Sequence, residues 1–198
     1  MSNNRIPTVE IEFSGGSKEV TLVSRHLKER RVFITGEINS GMANDFMSEM
    51  IYLETESDEP VTIYINSPGG EVNAGLLIYD IIRDSNLEIN LICTGLAASM
   101  AAIILAGGEK GHRYILNHSK VMIHEPKLVG NVGGSATSVK SLSESILEVR
   151  NTTNGILAEQ TGKSIEEINE ATLFDNYMNA EEAVEFGICD RIIDKIVL

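Results

Sequence analysis

Tryptophan is absent from this 198-residue chain, and cysteine occurs only twice, as Cys93 and Cys189. There is no C-x-x-C and no Cys/His spacing typical of a metal site. Both thiols are therefore expected to be buried in a reducing compartment, and no bound metal is expected. The four histidines (His26, His112, His118, His124) never fall four residues apart. Positive charge is also scarce: 16 Lys and Arg against 29 Asp and Glu leave a net charge of −13. Binding a phosphate backbone requires a basic face, so no nucleic-acid partner is expected. No apolar run reaches the roughly 20 residues of a membrane span. MSNNRIPTVEIEF lacks the basic flank and apolar run of a signal peptide. The expectation is a soluble, cytoplasmic protein with no membrane contact. The phosphate-binding patterns G-x-x-x-x-G-K-[ST] and G-x-G-x-x-G are missing, as is the hydrolase elbow G-x-S-x-G.

The sequence does contain alternating strand and helix signals, the pattern of an α/β fold. Its length suits one domain, 1–198, that hides about 70% of its extended-chain surface. Residues 1–20 carry Asn3, Asn4, Pro7, Gly15 and Gly16 and read as an irregular arm. Leu22 to Arg30 reads as a short helical turn and RVFIT (31–35) as a strand. Ser40 is then expected to cap a helix with Phe46, Met50 and Leu53 on its apolar stripe. VTIYIN (61–66) is a strand stopped by SPGG, and an apolar helix through Leu76–Ile82 follows. Short strands are expected at 113–116 and 121–124. A long helix from about Thr137 to Gln160 has the stripe Val139, Leu142, Ile146, Val149, Ile156 and Leu157. Ser164 opens a capping box, and Asn179 and Gly187 bound the AEEAVEF helix. Ile192–Leu198 reads as a strand-like tail.

The central stretch is LEINLICTGLAASMAAIILAGG (87–108). Its opening alternation is that of a strand. A turn is expected at Gly95, followed by a small-residue helix with Ser99 in its first turn. Unpaired N–H groups there favour developing negative charge, which makes Ser99 a candidate nucleophile. A serine among alanines is equally a small residue that lets a helix pack closely. His124, at the end of VMIHEP, is open to a structural or a catalytic role. The SPGG loop could aim backbone N–H groups at a ligand.

Taken together, YINSPGG (64–70), GLAASMAA (95–102), VMIHEP (121–126) and NAEEAVEFGICD (179–190) resemble the family of Clp protease proteolytic subunits (ClpP, peptidase family S14). That family lies within the wider crotonase-like fold. IPTV (6–9) and SRHLKERRVFITG (24–36) resemble its amino-terminal region, so the likeness covers nearly the whole chain. It implies repeated β-β-α units, a flexible axial arm over 1–20, and a protruding handle over about 127–162 in which a glycine-rich strand (130–134) precedes the long helix. It further implies Ser99 as nucleophile, His124 as general base, Asp175 as the orienting acid, and the backbone N–H groups of Gly70 and Met100 as oxyanion donors.

The implied activity is serine endopeptidase cleavage of unfolded polypeptides inside two stacked seven-membered rings. A Clp-family AAA+ ATPase feeds the chamber, docking on a cleft that includes Tyr64, Ile92, Tyr114 and Leu116. The ATP belongs to that partner, so no cofactor is expected in this subunit. Some positions depart from the family. The segment after His124 is about two residues longer than expected, with Ser135 where Gln is usual. Thr62 and Thr94 replace larger residues in the docking cleft. Leu173 and Phe174 stand where charged residues commonly precede the catalytic Asp. These departures leave room for a weakly active or regulatory ring subunit that assembles with an active paralogue. A crotonase-like acyl-CoA enzyme is the reading from another class.

Overall fold

A computed structural model describes residues 7–127 and 133–196. The chain opens with a hairpin, β1 (Thr8–Phe13) paired antiparallel to β2 (Gly16–Thr21). For the described residues this differs from the irregular arm expected of 1–20: TVEIEF and the segment from Gly16 pair residue for residue across the turn at Ser14–Gly15, and Gly16 leaves that turn at φ +135°. Helix α1 (Leu22–Lys28) leads into β3 (Arg31–Thr35).

From there strands and helices alternate: α2 (Ser40–Glu56), β4 (Val61–Ser67), α3 (Val72–Asp84), β5 (Ile89–Ala98) and α4 (Met100–Ala106). The chain continues through β6 (Arg113–Leu116), β7 (Lys120–Ile123), α5 (Ala136–Thr161), α6 (Ile165–Thr172), β8 (Asn176–Met178), α7 (Ala180–Phe186) and β9 (Arg191–Ile193). The sheet runs β3-β4-β5-β6-β9, all parallel, with β7 parallel to β5 and β8 antiparallel to β7. Val61, Ile63 and Ile65 of β4 and Ile89, Leu91 and Cys93 of β5 point into the core and are all buried, alternating with Thr62, Tyr64 and Asn66 and with Asn90 and Ile92. Asn39, one residue before the expected Ser40, caps α2 by accepting from Met42 N–H at 3.0 Å.

Gly95 does not turn the chain. β5 continues through it to Ala98, and a Cβ at Gly95 would lie 2.6 Å from Asn66 Oδ1. The glycine admits that side chain, whose Oδ1 accepts from Leu96 N–H at 3.2 Å. β5 consequently serves two neighbours in turn: Leu91–Cys93 pair with β6, and Leu96–Ala98 pair with β7. All seven residues of α4 are buried. Ile103, Ile104 and Leu105 at its centre contribute roughly 1.5–3 kcal/mol each by burial. Gly75 of α3 allows the close crossing, since a Cβ there would meet the Met100 side chain at 2.6 Å.

The expected apolar stripe of the long helix is only partly used. Thr153, Asn154, Leu157 and Gln160 are its buried residues, whereas Val139 and Leu142 are exposed. The first half of α5 therefore contributes no buried residue. Residues 130–132 of the glycine-rich strand expected over 130–134 lie outside the described residues.

Candidate active site

Register assembles the site. Ala98 of β5 pairs with Met122 of β7, and Ser99 N–H donates to Met122 C=O at 2.8 Å. Ile123 pairs with Asn176 of β8. One residue beyond each pairing stand Ser99, His124 and Asp175, at the ends of three neighbouring strands. Glu125 N–H donates to Thr172 C=O at 2.7 Å, fixing the chain after His124 against the end of α6.

The side chains meet in line. His124 Nε2 is 2.9 Å from Ser99 Oγ, and His124 Nδ1 is 3.0 Å from Asp175 Oδ1. Ser99 itself has φ +54° and ψ −122°, a region that non-glycine residues avoid at a cost of about 1–3 kcal/mol. This strained residue joins β5 directly to α4. That is the strand-turn-helix geometry of a nucleophile elbow, formed here with buried Ala97 and Ala101 in place of the signature glycines. Ser99 therefore precedes the helix and does not sit in its first turn.

The SPGG loop lies against this turn. A Cβ on Gly69 would lie 2.6 Å from Ala98 O and 2.7 Å from Ser99 Cβ; one on Gly70 would lie 2.0 Å from Ile38 O. Both positions require glycine. Gly70 forms a parallel bridge with Ile38, in which Ile38 N–H donates to Gly69 C=O and Glu71 N–H to Ile38 C=O. That pattern turns the N–H of Gly70 away from Ile38, toward the opposite side of the loop. Met100 begins α4, so its N–H has no partner inside the helix. Among the described residues neither N–H donates to a backbone acceptor.

These groups border a cavity of about 280 Å³ that Ser99 and His124 share with Pro68, Val72, Ile103 and Leu157. Its walls are mostly apolar and suit a medium-sized hydrophobic side chain beside the serine.

Two features escaped the sequence reading. Lys127 Nζ lies 2.6 Å from Asp175 Oδ1, the same oxygen that faces His124. Its bond, with that from His124, holds the Asp175 carboxyl below the usual carboxylate range. A cation three residues beyond the histidine was the available signal. The second is the buried turn of α5 around Asn154 and Leu157, which forms one wall of the cavity. Neither thiol is a rival nucleophile: Cys93 does not line the cavity, and burial pushes it up to about 11. Cys189 is raised further by burial.

The residues read as a docking cleft fall in two rows across the sheet. Tyr64, Ile92 and Tyr114 are register neighbours, and Leu116 is two residues on. Ile92 is fully buried between its two larger neighbours and offers no surface. Phe33 of β3 is 44% exposed beside them and stacks on Tyr64 at 5.2 Å between ring centroids, with His26 edge-on to it at 5.3 Å. Among the described residues no group of three or more His, Cys, Asp or Glu could hold a metal ion, and no helix is long and apolar enough to cross a membrane.

A serine hydroxyl bonded to an imidazole that is in turn bonded to a carboxylate, beside two free backbone donors, is an arrangement suited to acyl transfer through serine. The family model for Clp protease matches residues 14–196. The chain belongs to the Clp protease family, and that membership implies a peptidase activity.

Proposed function

We propose that this chain is the proteolytic subunit of an ATP-dependent Clp protease, a serine endopeptidase that cuts unfolded polypeptides into short peptides. The observation that carries the reading is the continuous line from Ser99 Oγ through His124 to Asp175, at 2.9 and 3.0 Å, on the edge of an apolar cavity. Ser99 attacks the scissile carbonyl while His124 Nε2 takes its proton. Asp175 holds the imidazole with Nδ1 protonated and stabilises the imidazolium. The N–H groups of Gly70 and Met100 receive the oxyanion, and one lost donor of this kind costs about a hundredfold or more. His124 then protonates the leaving amine, and water attacks the acyl-enzyme by the same route. No cofactor takes part in this subunit.

Two stacked heptameric rings in the cytoplasm, fed by an AAA+ unfoldase seated on the Phe33–Tyr64–Tyr114 face, complete the proposal. Family membership argues against the acyl-CoA enzyme. The weakly active ring subunit differs from the favoured reading in reactivity. A fluorophosphonate should label Ser99 stoichiometrically, as read by intact mass and peptide mapping. Absence of label on assembled protein would favour the regulatory subunit.

Ring contact gives a second test. Leu173, Phe174 and Tyr177 are 54%, 78% and 58% exposed in the single chain and flank Asp175. Charged contacts weaken as the screening length falls from about 10 Å at 0.1 M salt to about 3 Å at 1 M, whereas apolar burial does not. Double rings should therefore survive 1 M salt and dissociate on Phe174→Ala, as followed by sedimentation velocity. Rings that separate in salt yet tolerate Phe174→Ala would contradict an apolar contact. A lone protein that stops at seven subunits would point to a paralogous second ring.

A further inference from the structure

We propose that Lys127 is a positioning residue of the triad: its ammonium group anchors the Asp175 carboxylate against His124, so that the imidazole stays oriented toward Ser99. The inference rests on the triad reading above and adds a residue to it. Asp175 is 44% exposed on its side chain and Lys127 58%. An ion pair so open to water contributes little to stability. Its geometry is what matters. Both Lys127 Nζ and His124 Nδ1 bond the same oxygen, at 2.6 and 3.0 Å.

A carboxylate oxygen has two lone pairs, and these two bonds occupy both. The terminal torsion of Asp is broad, so an exposed carboxylate held by His124 alone would swing freely. The ammonium group gives the oxygen that faces the imidazole a second anchor.

The experiment measures kcat and KM separately for an uncharged fluorogenic peptide on the assembled protein, for wild type, Lys127→Met and Lys127→Arg. In Lys127→Met kcat should fall several-fold with KM little changed, and Lys127→Arg, which can bond the same carboxylate, should restore kcat. A loss confined to KM, or a Lys127→Arg as impaired as Lys127→Met, would make Lys127 merely structural and overturn the inference, as would Lys127→Met kinetics that match wild type. Failure of the triad reading is separately visible, because Ser99→Ala would then keep its activity.

Discussion

Replacing Ser99 by alanine should lower peptide hydrolysis by about a millionfold, by analogy with serine proteases that lose their nucleophile. The fold should be unaffected, since the change removes one hydroxyl and keeps the Cβ that packs against Gly69. Ser99→Gly separates function from stability. Glycine reaches φ +54° without steric cost, so it releases part of the strain of about 1–3 kcal/mol. It gives back roughly 0.5–1 kcal/mol of chain entropy. A net gain of about 1 kcal/mol would raise Tm by roughly 2–4 °C in a chain of this size, provided subunit concentration is matched. Ser99→Gly should thus be inactive and more stable. Turnover of a fluorogenic peptide and thermal unfolding of both variants test the pair. Activity retained in a chromatographically clean Ser99→Ala, or a Ser99→Gly that melts below it, would refute the strained-nucleophile assignment.

The strain also explains what the sequence conceals. Elements were legible because their local chemistry is strong: both capping boxes, at Ser164 and Asn179, form as the spacing predicts, and Gly187 ends α7 in the left-handed region. The junction at Ser99 was harder. Glycine normally marks a sharp turn, and Gly95 drew the expected turn four residues too early. In the structure Gly95 makes room for Asn66, and the turn falls on a residue that tolerates it poorly. No local rule predicts this, because tertiary packing enforces it. Gly69 backs onto the turn, β7 accepts its N–H, and buried α4 fixes the exit.

The triad was legible only through family resemblance. Ser99, His124 and Asp175 lie 25 and 51 residues apart, and nothing in their spacing brings them together. Strand order does, once β7 sits between β5 and β8. Lys127 was invisible for a related reason. Its role depends on Asp175, which is 48 residues away and stands just past the end of a helix whose position is set by the Glu125–Thr172 bond. The exposed stripe of α5 misled in the opposite direction. Helical periodicity identifies an apolar face but cannot say whether this chain or a neighbouring subunit covers it.

Asp175→Asn should reduce kcat/KM by up to about ten-thousandfold, the second-largest effect expected. An amide in this position has two options. If its NH2 faces Nδ1, the imidazole takes the tautomer protonated at Nε2, and no base remains for Ser99. If its oxygen stays on the Lys127 side, the tautomer is correct, but the negative charge that stabilised the imidazolium is gone. Both options cost activity. Turnover of a fluorogenic peptide by the assembled variant is the check, and a loss below tenfold would remove Asp175 from its orienting role.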